Sequence, residues 1–134
     1  MTRHEARETA FIILFEKLFS PLESVDEIIS SAGESEFFEV NDYIVAVTKK
    51  AEEKTEEIDS VIERQLVGWT LKRISKVSLA VLRLAVCEMR YFDDIPVSVS
   101  INEAVEITKK YSTAQDASFV NGVLGSVSKS ADES

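Results

Sequence analysis

Positions 77–89 constrain this chain more than any other stretch, because as a helix they are apolar in almost every direction. Set out at about 100° per residue, Val77, Leu79, Ala80, Val81, Leu82, Leu84, Ala85, Val86 and Met89 reach nearly every side. Arg83 and Arg90, one heptad apart, leave the only wide polar edge. Such a helix is stable only when protein surrounds it. The rest of the chain supplies helices to do so. Apolar residues recur at helical spacing almost throughout, and β-branched residues never alternate over a convincing stretch. Two prolines and four glycines also leave few turn signals for a strand-rich fold.

The spacing predicts about seven helices, with the fifth the most buried. Thr2 and Glu5 have capping-box spacing and open a first helix running to about 19, ended by Ser20-Pro21. Pro21 suits the first turn of a short second helix carrying Leu22, Val25, Ile28 and Ile29, with a loop at 30–33. A third helix begins near 36, with Phe37, Tyr43, Ile44 and Val47 toward the core. A fourth spans 55–68 on Ile58, Val61, Ile62 and Leu66, and the fifth covers 75–92. Ser100 and Glu103 repeat the capping-box spacing and set the start of the sixth after Ser100. The seventh follows Ser112 or Thr113, with Phe119, Val120, Val123 and Leu124 on one side and Gly122 and Gly125 thinning the other. Glycine inside a helix costs about 1 kcal/mol against alanine, so these two ask for a packing or contact reason. Residues 131–134 read as a frayed tail.

At 134 residues the chain is long enough to bury a core as one domain without metal or disulfide. Cys87, the single cysteine, lies inside the apolar run and reads as a structural thiol. The start is charged and no apolar stretch reaches membrane-span length, which predicts a cytoplasmic protein that does not meet a membrane. His4, the only histidine, sits near the terminus. No catalytic triad, zinc-ligand spacing or phosphate-cradling glycine loop can be assembled. A binder rather than an enzyme is expected, with no cofactor and no metal.

Charge narrows the kind of binder. The net charge of −9 has the wrong sign for a nucleic-acid protein, because phosphate contacts ordinarily supply much of the affinity. RNA binding would need a local basic patch or a basic partner. The acidic run of Glu52, Glu53, Glu56, Glu57 and Asp59 reads as a solvated helix face or as a surface for such a partner. Glu88 falls on the Val77–Leu84–Val81 side of its helix, where an unpaired carboxylate would cost several kcal/mol. Arg7 shares a stripe with Leu14 and Leu18 and is the leading partner, whereas Arg83 faces another side. Arg7 has two readings, an RNA contact or a half-buried clamp; a guanidinium that pairs bidentately while its stem packs favours the clamp.

Four blocks occur in order: Ala6 to Phe15 (ARETAFIILF), Leu79 to Met89 (LAVLRLAVCEM), Ser98 to Ile107 (SVSINEAVEI) and Phe119 to Leu124 (FVNGVL). Together they resemble the NusB family of bacterial antitermination factors over about residues 3–128. The resemblance implies an all-α domain over 1–130 made of two packed helical bundles, about 1–54 and 55–130. It also implies pairing with the ribosomal protein NusE and joint binding of boxA RNA. Through other Nus factors and RNA polymerase, such proteins promote read-through in ribosomal RNA operons. The family's arginine-rich amino terminus touches RNA and here reads Arg3-His4-Glu5-Ala6-Arg7, two arginines with a glutamate between them. Phe119 lies where the family presents an aromatic to RNA. Stacking on a base would be worth about 1–3 kcal/mol there, and burial in the core is the equal alternative. The NusE-facing positions correspond to Phe15, which lacks a tyrosine hydroxyl, and Ser78, which lacks an acidic charge. A helical protein-interaction module that has lost RNA binding is the other reading of the whole chain.

Overall fold

A computed structural model describes residues 1–34 and 39–133. Among them are seven α-helices: α1 (Arg3–Phe19), α2 (Val25–Glu34), α3 (Asp42–Glu53), α4 (Thr55–Glu63), α5 (Lys76–Tyr91), α6 (Val97–Tyr111) and α7 (Ala114–Glu133), with one 3₁₀ turn at Leu71–Arg73. The fold is all-α. Helix α5 is the hub and packs against α1, α3, α4, α6 and α7. Leu82 and Leu84 are both buried, as are Val81, Ala85 and Val86. One continuous core joins these to Phe11 and Ile13 of α1, Ile44 and Val47 of α3, Ile62 of α4, Ile107 of α6 and Leu124 of α7.

Cap chemistry sets the helix starts. Thr2 accepts from the Glu5 N–H while Glu5 reaches back to the Thr2 N–H, so the predicted box at α1 is complete. Ser75 caps α5 by accepting from the Ser78 N–H, and Thr113 accepts from Asp116 ahead of α7.

Boundaries of four helices differ from the sequence reading. Helix α2 does not start at Pro21. Ser24 and Glu27 form a reciprocal capping box, so Leu22 stays outside the helix and almost fully exposed. The expected loop at 30–33 is helical because nothing in Ser30, Ser31 or Ala32 overrides the propagation that this box starts. Helix α3 is capped by the Asn41 side chain on the Ile44 N–H, later than expected; Glu36 and Phe37 lie outside the described residues. Helix α4 stops at Glu63, and the chain turns through Gly68 at a left-handed φ of 75°.

The fourth correction carries chemistry. Helix α6 begins at Val97, after Pro96 at the cap position. The Ser100–Glu103 pair is therefore no capping box. Ser100 sits a turn inside the helix, where its backbone N–H already bonds to Pro96, and its hydroxyl is free to donate to Glu88 at 2.8 Å. Glu103 instead meets His4.

Candidate nucleic-acid and partner interface

The first site grows from the carboxyl-terminal half of α5. Glu88 is 1% exposed and accepts from three elements at once. Arg7 Nε of α1 donates at 2.9 and 3.3 Å, the Tyr43 hydroxyl of α3 donates to Oε2, and Ser100 Oγ of α6 donates to Oε1. The charge that α5 buries is thus met by a cation and two hydroxyls, as a buried carboxylate requires. Burial opposes the charge on Arg7, but the hydrogen bond and charge of Glu88 outweigh it and hold the guanidinium above its ordinary pKa. Burial first, then the Glu88 charge, pushes the Tyr43 phenol well above its usual range. The thiol of the adjacent Cys87 is likewise pushed up to about 12, by burial and then by Glu88.

Around this hub lies the amino-terminal arm. Arg3 and His4 are exposed. The Arg3 guanidinium carbon stands 4.4 Å from the centre of the Tyr43 ring, and His4 Nδ1 contacts Glu103. Arg7, 5% exposed, points into the hub rather than out of the molecule. Of the three residues in the expected basic arm, two face solvent and one is held inside.

The second site lies at the other end of α5. Trp69 is 56% exposed, and Phe119 is half-buried beside it. The two rings line a groove of about 420 Å³ shared with Arg73, Ile74, Ser75, Gln115 and Asp116. They also line a second groove of about 290 Å³ that runs past Leu66, Val67 and Gly122. They form the ridge between the two. A hydrogen bond of 3.0 Å from Ser75 Oγ to Asp116 ties the start of α5 to the start of α7. A third groove, of about 580 Å³, carries Lys72 and Lys76 on the other side of the 3₁₀ turn. Gly122 and Gly125 face open space, with nothing within 4 Å of an added Cβ. Packing inside the chain therefore does not explain them.

The structure does not bring Arg3, His4, Arg7 and Phe119 together. The arm meets α5 near Glu88 and Phe119 meets it near Ser75. Thirteen residues at about 1.5 Å each separate these points by roughly 20 Å. Sequence reading missed Trp69, Arg73, Lys72 and Lys76. The signal is the run Trp69-Thr70-Leu71-Lys72-Arg73-Ile74-Ser75-Lys76, an aromatic followed by closely spaced cations in a stretch too short for a regular helix.

Phe15 stands in a row of rings along α1. Phe11 packs on Tyr111 at 5.0 Å between centroids, Phe15 on Phe11 at 5.8 Å, and Phe19 on Phe15 at 5.0 Å. Phe15 is half-buried, while Phe19 is largely exposed and has Lys76 Nζ 5.6 Å from its ring centre. Ser78 is 0% exposed, and its hydroxyl finds no hydrogen-bond partner among the described residues. It is fully buried, so its side chain offers nothing to a partner on the outside.

Much of the acidic run is engaged within the chain. Asp59 takes a two-pronged contact from Arg83 at 2.9 and 2.8 Å, Glu52 pairs with Lys17 at 3.3 Å, and Glu57 accepts from Tyr91. No group of three or more His, Cys, Asp or Glu among the described residues is placed to hold a metal. No described helix is long and apolar enough to cross a membrane.

Residues 4–129 match the model of the NusB family. The transcription antitermination protein NusB of Ruminiclostridium cellulolyticum is 44% identical over 131 residues, covering 96% of this chain and 90% of that protein. Its counterpart in Acetivibrio thermocellus is 46% identical over the same length, with the same coverage. Among solved structures, a NusB from a crystal of antitermination factors NusB and NusE with double-stranded RNA superposes with a TM-score of 0.84. That chain is 30% identical, and the match covers 97% of this chain and 99% of that one.

Proposed function

Because this chain belongs to the NusB family, we propose that it is a cytoplasmic transcription antitermination factor that binds boxA RNA together with NusE. With other Nus factors and RNA polymerase it promotes read-through in ribosomal RNA operons. One observation carries the reading: the ridge of exposed Trp69 and half-buried Phe119 between two grooves, with Arg73 beside it. Aromatic faces next to cations are what a single strand needs, since bases stack on the rings while phosphates meet the charges. Arg3 and His4 form the second contact region and Arg7 holds the fold behind them. Phe15 and Phe19 belong to the NusE-facing side. The solved relative found with NusE and RNA supports the same partners.

The test is a titration of labelled single-stranded boxA RNA, with and without NusE, over a range of salt. The net charge of −9 opposes the few cations available, so the protein alone should bind weakly. Each phosphate contact to a single strand contributes a log–log salt slope of about −0.7, giving a total on the order of −2 for two or three contacts. A basic partner should tighten binding and steepen the slope. Trp69→Ala and Phe119→Ala should each weaken binding by about 5- to 150-fold, the range for one lost base stack, with little change in slope. Affinity that is equal with and without NusE and indifferent to both substitutions would favour a protein-interaction module without RNA binding. The acidic balance and the internal engagement of Arg7 are the observations on that side.

A further inference from the structure

The face of Tyr43 carries a second contact besides its bond to Glu88. Its hydroxyl is bound by a carboxylate that Arg7 and Ser100 also hold, which fixes the ring's long axis, and close packing of the buried side chain limits its turning about that axis. Across that ring lies the guanidinium of Arg3, at 4.4 Å. Arg3 is exposed while Tyr43 is 8% exposed, so a ligand outside the protein can touch the arginine but scarcely the ring beneath it. A guanidinium stacked by its face keeps the N–H donors along its edge available, and those donors are what pair with phosphate.

We propose that Tyr43 is a positioning residue for RNA: its ring holds Arg3 face-on, so that the edge of the guanidinium is presented to a phosphate before the strand arrives. The inference rests on the RNA-binding role of the amino-terminal arm given above. Its physical basis is the cost of ordering a long, flexible side chain on binding, a cost that is smaller when the free protein already holds the side chain in place. Glu88 acts one step further back. It accepts from the tyrosine hydroxyl and so links a buried carboxylate to an exposed cation, while packing of the ring keeps its face toward Arg3 even without the hydroxyl.

The experiment measures binding of fluorescein-labelled boxA RNA to the full chain in the presence of NusE, for Tyr43→Phe, Tyr43→Leu, Arg3→Ala and the Arg3→Ala/Tyr43→Leu double variant. Tyr43→Phe keeps the ring and should stay within about twofold of wild type. Tyr43→Leu removes the ring and should lose about two- to tenfold, the scale of ordering one such side chain. In the Arg3→Ala background Tyr43→Leu should have no further effect. Equal losses for Tyr43→Phe and Tyr43→Leu, or losses that multiply in the double variant, would overturn the proposal. Arg3→Ala with full affinity would instead remove the RNA role of the arm itself, and the positioning role with it. The δ-protons of Arg3 provide a readout that mere stability does not move. Ring current should shift them upfield in the wild type and in Tyr43→Phe, and the shift should persist with RNA bound. Unshifted δ-protons, or a shift lost on adding RNA, would overturn the proposal even if Tyr43→Leu fails to fold.

Discussion

Replacing Glu88 by alanine should be among the most costly single changes to this chain. The substitution strands three donors. Arg7 is left as a buried cation with no carboxylate, and the hydroxyls of Tyr43 and Ser100 lose their acceptor. Breaking a buried ion pair from one side costs about 3–5 kcal/mol, a large share of the roughly 5–15 kcal/mol that holds a domain folded. With a urea m-value of about 2 kcal/mol/M, a 4 kcal/mol loss moves the midpoint down by about 2 M. The informative comparison is with Arg7→Met/Glu88→Leu, which removes both charges and leaves apolar volume. That pair should be clearly more stable than the sum of its single changes, because each single change leaves an uncompensated buried charge, whereas the double change leaves only the Tyr43 and Ser100 hydroxyls without their acceptor. The assay is urea unfolding followed by helical circular dichroism, with the coupling read from the four midpoints. A Glu88→Ala protein that unfolds at the wild-type midpoint, or strictly additive single changes, would refute the reasoning.

Gly122→Ala should raise the melting temperature by a few degrees, since helical alanine is favoured over glycine by about 1 kcal/mol and nothing lies within 4 Å of the new Cβ; a lower melting temperature in a thermal scan would contradict the open space seen there. The folded state holds the Tyr43 phenol above its ordinary pKa of 10.0, so above about pH 10 the unfolded chain gives up a proton that the folded chain keeps. Stability should then fall with rising pH, by about 1.4 kcal/mol per unit for this one group, and pH-dependent urea unfolding should show a shallower fall in Tyr43→Phe. Ser78→Ala should leave stability unchanged or slightly higher, because it removes a buried hydroxyl without a partner; a loss above about 1 kcal/mol by urea unfolding would disprove this.

Local signals made much of the fold legible. The Thr2–Glu5 box and the all-round apolar wheel of α5 are each contained within a few turns of one helix, and each specifies the same answer in isolation. The need of Glu88 for a partner was also readable, because burial follows from its neighbours on the wheel. What the sequence hid was competition between local motifs and distant groups. Ser100 has the spacing of a cap, but Glu88 takes its hydroxyl from another helix. At α2 the sequence reading starts from Pro21, and the reciprocal bonds of Ser24 and Glu27 prevail over the fixed φ of that proline. Trp69 and Arg73 stayed invisible as a site because they lie on an irregular connector, where no periodicity relates one side chain to the next. Only the packing of α7 against α5 brings Phe119 to them.

The placement of the two contact regions at opposite ends of α5 makes that helix a ruler. Its length is set by the rise per residue and by hydrogen bonds repeated every turn, and five neighbouring helices pack against it. A strand that engages both ends at once must bridge that fixed span, so a shorter one forfeits an end whatever its bases. Under the proposed function, length would thereby be read separately from sequence.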